Sequence, residues 1–372
     1  MRIALVHDYL SQDGGAERVL KSLHEIWPEA PIFVLFHDRK KINYFEQGNI
    51  KESFLAKMPL IRSAFEWYLP WMPVATERHD LRDFDVVISS TSAFSKGVIT
   101  APGTLHISYC HTPPRYLWAD SADYVAELNQ SPVVKAFLPN LLHRLRLWDK
   151  MSADRVDHFI ANSKTVEQRI RKYYRRDSDV IHPPIETDNF KTTDKAGDYF
   201  IAGGRMVPYK RFDMLIAAFN RLREPLKIFG SGPELARLKN IARPNIEFLG
   251  VISEEKKIDL LSRARAFVNP QTEDFGITTI EAMASGRPVI AYADGGAVET
   301  VLDGKTGTFF NEQNWESLFD AIVNFNHQNW DSTAIREHAR QFDSRVFKEK
   351  MQKFVADKFD EFKSKSHQPS IL

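Results

Sequence analysis

The chain has 372 residues, of which 43% are hydrophobic and 27% charged, a composition typical of a globular protein of about two domains. Its formal net charge of +1 excludes the basic excess of a dedicated nucleic-acid-binding protein. Its single cysteine, Cys110, excludes a disulfide framework and a cysteine-built zinc site, so we expect a reducing compartment, the cytoplasm.

The first half of the chain alternates short apolar runs with helical patterns. Strands are predicted at residues 2–7, 30–35, 86–89, 105–109, 158–161 and 180–182, and helices from Ala16 and over residues 165–174. Such alternation predicts a doubly wound parallel sheet. His7 and Asp8 interrupt the first apolar run, which is therefore not a signal peptide, and no apolar run reaches the roughly 18 residues that span a bilayer.

The alternation begins again after His182-Pro183-Pro184, with strands predicted at residues 199–203, 226–229, 245–249, 266–269 and 288–292. Adjacent prolines fit neither a helix interior nor a central strand, so they indicate a domain boundary. We predict a first domain over residues 1–184 and a second over residues 185–350. A C-terminal helix, residues 351–372, is expected to pack back on the first domain.

The sharpest motif is the segment EDFGITTIEAM at residues 273–283. Two glutamates, Glu273 and Glu281, flank a glycine turn and a predicted helix start, for which Thr278 or Thr279 is the expected cap. Helix-start N–H groups favour a phosphate, and two separated carboxylates can accept hydrogen bonds from two sets of hydroxyls, which suits a nucleotide sugar. For Glu281 alone, simple complementarity to the helix dipole explains the residue equally well.

A second motif, GGRMVPYK at residues 203–210, directly follows a predicted strand. Arg205 and Lys210 stand on either side of a turn, where both cations could reach one diphosphate. The spacing differs from that of a P-loop. Either residue alone would be uninformative, because basic residues are common near exposed loops.

These two segments, in this order, resemble the glycosyltransferases of family 4, which have the GT-B fold. The resemblance covers nearly the whole chain and includes GGAER at 14–18, ANS at 161–163, GSGPE at 230–234 and ASGRPVIA at 284–291. It implies an α/β architecture of two Rossmann-like domains that face a central cleft. The first domain would be the acceptor side, and the second would bind the nucleotide sugar.

The resemblance also implies roles for individual residues. Arg205 and Lys210 would hold the donor diphosphate, Glu281 the ribose hydroxyls, and Glu273 the hydroxyls of the transferred sugar. The remaining donor contacts in the second domain would come from Phe275, Gly276 and Ile277 around the sugar, and from Lys227 and Gly250 near the base.

In the first domain, the resemblance assigns Gly14 and Gly15 to a close approach of the backbone to the diphosphate, which a side chain would obstruct. His111 lies in the segment CHTPPRYLW at residues 110–118, after a predicted strand. By resemblance it would contact the transferred sugar near the reacting carbon. Taken alone, it would more simply be a loop histidine with a structural hydrogen bond.

The implied function is that of a retaining transferase that moves a hexose from a nucleotide-diphosphate sugar to a glycan or polyprenyl-linked acceptor, with no cofactor and no metal. Same-face attack is expected, with the leaving phosphate helping to deprotonate the acceptor hydroxyl. The segments HDYL at 7–10 and 111–118 look most like bacterial polysaccharide mannosyltransferases, O-antigen enzymes among them, so we predict mannose from GDP-mannose. The alternatives are a UDP-hexose donor and a GT-B epimerase or phosphorylase.

Two other motifs are rejected, as is a dinucleotide-binding module. Asp83 and Asp85 form a D-x-D pair, but they precede a predicted strand, whereas metal-binding acids are expected at a strand exit. Asp274-Phe275-Gly276 lacks the companion motifs of a kinase. The first loop, SQDGG, lacks the G-x-G-x-x-G spacing of a dinucleotide site.

Residues 54–73 and 132–150 combine large apolar side chains with cations that include Lys57, Arg62, Lys135, Arg144 and Arg146. This composition suits attachment to an anionic membrane surface, here the inner face of the cell membrane. It suits amphipathic helices packed on the first-domain sheet equally well.

Overall fold

The computed structural model describes residues 1–45, 50–119, 132–193 and 197–366. The chain divides into two compact units, one formed by Met1–Pro184 with Phe347–Leu372 and the other by Ile185–Val346. Residues 367–372 of the predicted C-terminal helix and the side chain of Lys135 lie outside the described part of the chain.

The first unit is built on a seven-stranded parallel sheet in the order β3-β2-β1-β4-β5-β6-β7. Its strands are β1 Ile3–His7, β2 Ile32–Val34, β3 Ile50–Glu52, β4 Val86–Thr91, β5 Leu105–Cys110, β6 His158–Ala161 and β7 Ser178–Val180. The central strands are buried along their whole length; β1 and the first half of β4 are apolar runs, whereas β5 also contains buried histidine and serine. The edge strands carry exposed polar residues; β3 therefore escaped prediction, and β7 lies two residues earlier than predicted.

Within the described residues of this unit, four helices precede the second unit in the chain: α1 Gly15–Ile26, α2 Met72–Glu77, α3 Pro132–Ala153 and α4 Lys164–Tyr174. Helix α1 buries Val19, Leu20 and Leu23, whose spacing places them on one helical face towards the sheet. Helix α4 begins after Ser163, whose hydroxyl accepts a hydrogen bond from the Val166 N–H at 3.1 Å. Two 3-10 segments, Phe54–Lys57 and Phe65–Trp71, lie between β3 and α2.

The second unit contains a six-stranded sheet in the order β10-β9-β8-β11-β12-β13 with parallel pairings. Its strands are β8 Phe200–Gly203, β9 Leu226–Phe229, β10 Ile246–Gly250, β11 Phe267–Asn269, β12 Val289–Tyr292 and β13 Gly307–Phe310. Its helices are α5 Phe212–Leu222, α6 Leu235–Ile241, α7 Glu254–Arg263, α8 Ile277–Ala284, α9 Ala297–Thr300, α10 Trp315–Val323 and α11 Ser332–Ala339.

The last described helix, α12 Ser344–Ser366, joins the core of the first unit. Phe347, Met351 and Val355 are spaced by four residues and are all buried in that core. An ion pair of 2.7 Å between Lys348 and Glu25 ties the helix to α1.

Both sheets have the strand order of doubly wound nucleotide-binding folds, and the predicted α/β class is confirmed. In such sheets the direction of winding reverses between two neighbouring strands, here β1 and β4 in the first unit and β8 and β11 in the second. Ligands bind at the carboxyl ends of the strands beside that reversal. Among the described residues, no helix is both long enough and apolar enough to cross a membrane.

Candidate functional site

In the second unit, Lys210 and Glu273 meet beside the carboxyl ends of the central strands. The Lys210 ammonium donates to Glu273 Oε1, and the two side chains are 15% and 16% exposed. The Gln271 amide also donates to Glu273 Oε1, at 2.5 Å. Burial lowers the pKa of Lys210 while the Glu273 carboxylate raises it, and the net shift is upward. Lys210 is therefore a protonated cation held in contact with the Glu273 side chain.

The loop that carries Arg205 is shaped by glycines. Gly204 has a φ of +136°, and Gly230, on the neighbouring loop, has a φ of +114°. A Cβ on Gly230 would lie 2.0 Å from the Gly204 carbonyl oxygen, so a side chain there is excluded. Arg205 is exposed, and its guanidinium forms no hydrogen bond or ion pair with another described residue. It is a cation available to a ligand.

Helix α8 begins at Ile277, directly after Gly276, whose φ of +93° lets the chain turn sharply into the helix. The prediction that Thr278 or Thr279 caps this helix is wrong, because both threonines lie inside the first turn, and the buried Thr279 hydroxyl has no hydrogen-bond partner among the described residues. A Cβ on Gly276 would lie 3.1 Å from Glu273 Oε2. The Glu273 carboxylate therefore lies beside the start of α8.

Phe275 and the Gly295-Gly296 pair hold this loop in place. Phe275 is buried against Phe342, with ring centroids 5.6 Å apart. The Gly296 N–H donates to the Glu273 carbonyl at 2.7 Å, and a Cβ on Gly296 would lie 2.4 Å from the Phe275 Cα. Gly295 and Gly296 were not predicted from the sequence. Their signal was a glycine pair shortly after a strand.

Glu281 is buried in α8 and pairs with Lys257 of α7 across 2.9 Å. Lys257 also lies 2.9 Å from the exposed Glu254 carboxylate. Lys257 was not predicted as a site residue, because nothing in the spacing of α7 separates this lysine from its surface neighbours. The pair holds the Glu281 carboxylate within α8, the helix that follows the loop of Glu273.

Of the two further predicted donor residues, Lys227 lies apart from this group, whereas Gly250 lies beside one of its loops. The Lys227 ammonium lies 4.1 Å from the centroid of the Tyr199 ring and 3.9 Å from the Glu247 carboxylate. Tyr199 directly precedes β8, so this ammonium points towards the amino ends of the strands, away from Lys210. Gly250 ends β10 with a φ of +68°, and its carbonyl accepts from the Gly230 N–H at 2.7 Å. The structure thus brings Gly250, but not Lys227, to the carboxyl edge.

In the first unit, His111 directly follows β5 and belongs to a hydrogen-bonded chain of side chains. His111 Nε2 lies 2.8 Å from Ser90 Oγ, and Ser90 Oγ lies 3.1 Å from His7 Nδ1. A hydroxyl carries one proton, so at least one of the two imidazoles must donate to it. Burial, and secondarily the neighbouring His7, lower the pKa of His111 to about 3. His111 is therefore neutral near pH 7.

The row of polar side chains that runs from His111 through Ser90 to His7 continues to the loop of Gly14. Glu17 is buried; its Oε1 lies 3.8 Å from His7 Nε2, and its Oε2 accepts from the Gly14 N–H at 3.0 Å. A Cβ on Gly14 would lie 3.0 Å from that carboxylate oxygen. Gly15 is the first residue of α1. The predicted glycine loop and the predicted histidine are thus joined through Glu17, His7 and Ser90, at the strand reversal between β1 and β4.

Buried charges anchor the segment that continues from His111 to Trp118. The Trp118 indole donates to Asp149 at 2.8 Å, and Asp149 pairs with the fully buried Lys96. Arg146 donates to the Leu117 carbonyl at 2.5 Å. None of these three partners was predicted from the sequence, because they come from distant elements and belong to no motif.

The D-x-D pair precedes β4, as expected. Asp85 accepts the Arg2 N–H at 2.7 Å, and this hydrogen bond lowers the pKa of the Asp85 carboxyl. Asp83 is exposed. Asp85 therefore has a structural partner in its own sheet.

Comparison with known proteins agrees with the fold and the motifs. The family profile of glycosyl transferases group 1 matches residues 185–342, and that of glycosyltransferase family 4 matches residues 13–189. A crystal structure of Anabaena HepE in complex with UDP and glucose has a TM-score of 0.70 at 17% identity, and covers 96% of this chain and 99% of its own. At that identity the likeness concerns the fold.

Two curated relatives are more similar in sequence over shorter stretches. An uncharacterized glycosyltransferase of Methanocaldococcus jannaschii is 27% identical over 214 residues, 55% of this chain and 60% of the relative. The GDP-mannose-dependent alpha-(1-6)-phosphatidylinositol monomannoside mannosyltransferase of Mycolicibacterium smegmatis is 33% identical over 172 residues, 38% of this chain and 45% of the relative. The chain thus spans roughly half the length of these curated relatives. Together the two profiles match residues 13–342, and the chain belongs to the family 4 glycosyltransferases of the GT-B fold.

Proposed function

We propose that the protein is a retaining glycosyltransferase that moves a hexose from a nucleotide-diphosphate sugar to a glycan or polyprenyl-linked acceptor. The observation that carries this proposal is the contact between Lys210 and Glu273 at the start of α8, with Arg205 exposed on the neighbouring loop. A diphosphate needs cations, and sugar hydroxyls need a carboxylate acceptor. This group offers both within one loop cluster.

The cations would bind the diphosphate by different geometries. A lysine ammonium has three N–H donors, and Lys210 uses one of them on Glu273, which leaves two for phosphate oxygens. Arg205 adds a planar guanidinium that can bind two oxygens together. Negative charge grows on the leaving diphosphate during transfer, so preorganised cations lower the barrier most at that stage. We therefore assign leaving-group stabilisation to Lys210 and Arg205.

The Glu273 and Glu281 carboxylates would bind two different parts of the donor. Glu273 would accept hydrogen bonds from the transferred sugar, and Glu281 from the ribose hydroxyls. The Lys257 ammonium partly neutralises Glu281. A carboxylate that is paired with a cation is an acceptor of hydrogen bonds, which suits ribose hydroxyls.

His111 would contact the transferred sugar as a neutral group. Its Nε2 is engaged by Ser90, so Nδ1 is the nitrogen left for a sugar hydroxyl. Its lowered pKa argues against a role as a general acid near pH 7. The proton of the acceptor hydroxyl would instead pass to the leaving phosphate. In a retaining transfer the acceptor oxygen would bond to the anomeric carbon on the same face from which that phosphate departs, as the bond between carbon and phosphate oxygen breaks.

For the donor, we propose mannose from GDP-mannose. One relative is named as GDP-mannose-dependent, which supports this choice. A structural neighbour was crystallised with UDP and glucose, which keeps a UDP-hexose as the alternative. No bound metal and no further cofactor are part of the proposal.

We also propose that the enzyme works at an anionic membrane surface through its first unit. One buried apolar cluster joins residues 54–73 to helix α3. It contains Leu55 and Ile61 from the first of these segments and Leu142 and Leu145 from α3. The same two segments leave other apolar side chains in solvent, including Leu60 at 74%, Trp67 at 67% and Phe137 at 71% exposure. Exposed large apolar residues of this kind favour an interaction surface.

Flotation with anionic liposomes at low and high salt tests the membrane proposal. The exposed Lys57 and Arg144 are the cations to reverse, because Arg146 supports the segment that follows His111. Each cation near an anionic leaflet contributes about 1 kcal/mol, so Lys57→Glu with Arg144→Glu should weaken flotation severely. Arg171→Glu with Lys172→Glu, at exposed positions of α4, is the charge-matched control. Absence of flotation of the unaltered protein at low salt would end this proposal.

A donor screen tests the enzyme proposal. Purified protein is incubated with GDP-mannose, UDP-glucose and other sugar nucleotides, and released nucleoside diphosphate and free or transferred sugar are measured. Release from GDP-mannose above the rest supports the proposed donor, and release from UDP-glucose supports the alternative. An epimerised sugar nucleotide, or binding of NAD without any sugar nucleotide, would replace the transferase with another class of protein.

A further inference from the structure

The first unit contains a second cationic site, separate from the residues assigned above. A cavity of about 760 Å³ is lined by Ser11, His37, Asp38, Arg39, Lys40, Lys41, Arg62, Ser63 and Phe65. Four of these side chains are cations and one is an anion. This cavity, which we call the basic pocket, has the size of a small-molecule site.

The basic pocket lies at the functional edge of its sheet. Ser11 follows β1, the segment from His37 to Lys41 follows β2, and the segment from Arg62 to Phe65 follows β3. All three strands are parallel, so these segments emerge at their carboxyl ends. His111 follows β5 at that same edge. Ligands of doubly wound sheets bind along this edge.

The pocket walls are fixed by main-chain contacts. The Asp38 N–H donates to the Leu10 carbonyl at 2.7 Å, and the His37 N–H donates to Glu52 Oε1 at 2.7 Å. The Arg62 guanidinium donates to the His37 carbonyl at 2.9 Å. A ligand would therefore meet a preformed wall, which reduces the entropy lost on binding.

The charge of the basic pocket is left largely unbalanced. Lys41 lies 3.7 Å from Asp38, and Arg62 lies 3.4 Å from Glu52. The side chains of Arg39 and Lys40 are exposed and form no hydrogen bond or ion pair with any other described residue. Two cations without partners on one short loop favour an anion with several acceptor oxygens.

A buried histidine in the pocket wall also lacks a partner on one side. His37 is 2% exposed, and its Nε2 donates to the Ile42 carbonyl at 2.8 Å. Its Nδ1 is buried without a hydrogen-bond partner among the described residues. A buried polar atom without a partner is costly, and this one belongs to a residue that lines the basic pocket.

We infer that the basic pocket binds the phosphate or diphosphate group of the acceptor. The inference rests on the proposed transferase function, since it names the class of acceptor for that reaction. The excess of positive charge in the basic pocket favours a phosphate group of the acceptor over its neutral groups. The segment that supplies Arg62 and Phe65 also carries the exposed Leu60 and Trp67, which suits a phosphate linked to a lipid.

The test uses the full chain saturated with GDP, so that phosphate probes do not occupy the donor site. Inorganic pyrophosphate is titrated by calorimetry, and neutral phosphatidylcholine vesicles with and without a prenyl phosphate are used for flotation. Arg39→Gln with Lys40→Gln should weaken both interactions roughly tenfold or more, because two charge-assisted contacts are lost. Arg171→Gln with Lys172→Gln, on α4, removes the same charge elsewhere in the unit and should change neither.

Each outcome decides a separate point. Loss in both arms supports a lipid-linked phosphate, and loss in the pyrophosphate arm alone supports a soluble phosphorylated acceptor. Unchanged binding by the Arg39 and Lys40 variant, or no binding of either probe by the unaltered protein, would overturn the inference. Affinities for GDP and for UDP are measured on the same samples: absence of both contradicts the proposed transferase function, whereas retention of either one confines any failure to the basic pocket.

Discussion

Lys257 and Glu281 form a buried ion pair of 2.9 Å between helices α7 and α8. The pair makes Glu281 part of the internal structure of the second unit as well as a proposed ribose contact. Removing one partner of a buried pair leaves an uncompensated charge, which costs about 3–5 kcal/mol. A change at Glu281 should therefore alter stability and nucleotide affinity together.

A double variant separates these two effects. We expect Glu281→Gln alone to lower the free energy of unfolding and to weaken GDP or UDP binding. Adding Lys257→Met removes the buried cation, whose remaining partner is the exposed Glu254, and should restore much of the stability without restoring affinity. Urea denaturation and calorimetric titration measure the two quantities. Unaltered nucleotide affinity in the double variant would refute the ribose assignment.

Arg205 and Lys210 are predicted to bind the diphosphate directly. Replacing either by alanine should cost about 1.5–3 kcal/mol of affinity for free nucleoside diphosphate, which is roughly a 10- to 150-fold loss. Arg205→Ala should leave the free energy of unfolding unchanged, because the side chain is exposed and has no described partner. Lys210→Ala also removes the partner of Glu273, so its folding must be checked by denaturation.

Lys239→Ala is the matched control for this pair of variants, because Lys239 is an exposed cation of the same unit on α6. It should bind nucleoside diphosphate as the unaltered protein does. The assignment of Arg205 and Lys210 to the diphosphate fails when both Arg205→Ala and Lys210→Ala keep that same affinity.

Transfer is predicted to be independent of a divalent metal. Two cations are already assigned to the diphosphate, and Asp85 of the D-x-D pair is engaged by the Arg2 N–H. Donor turnover should therefore persist after treatment with EDTA. A complete loss that magnesium restores would show that a metal takes part, and would turn attention to the exposed Asp83.

Stability is predicted to fall as the pH decreases below about 6.5, the ordinary pKa of histidine. Burial lowers the pKa of the fully buried His106 to about 4. Between these values the unfolded chain binds a proton that the folded chain does not, so the free energy of unfolding rises with pH across this window and levels off above it. One such histidine contributes up to about 1.4 kcal/mol per pH unit.

Urea denaturation at several pH values between 5 and 7.5 measures this slope, above the range in which most carboxylates titrate. His106→Gln should reduce the slope, whatever its effect on stability at pH 7. A free energy of unfolding that stays constant from pH 7.5 to 5 would contradict the assignment of neutral buried histidines.

The sequence was sufficient for the strands other than β3 and β13, and for the loops that carry the proposed donor residues. Buried strands such as β1 and β12 are largely apolar runs, and glycine or proline lies in the loops that carry those residues. The pairing of Lys210 with Glu273 was not foreseen, although both residues were identified. The positions of the strands and loops followed from the local sequence pattern. The contact between Lys210 and Glu273 depends instead on two loops that are distant in sequence and adjacent in the fold.

Other features left no local signal. Strand β3 is a half-exposed edge, so it lacks an apolar run. The start of α8 depends on the left-handed conformation of Gly276, which made the nearby threonines misleading as caps. Lys257 and Ser90 act through partners far away in the chain, and an isolated lysine or serine is uninformative in a single sequence.

The most direct test of the proposed function compares the unaltered protein with Glu273→Gln in two measurements: release of nucleoside diphosphate from GDP-mannose or UDP-glucose, and affinity for the free nucleoside diphosphate. Glu273 is assigned to the transferred sugar, which the free nucleotide lacks. We predict unchanged affinity and a roughly 10- to 150-fold lower release in the variant, the effect of one charge-assisted hydrogen bond. Equal release by both proteins, or no release and no nucleotide binding by the unaltered protein, would contradict the account.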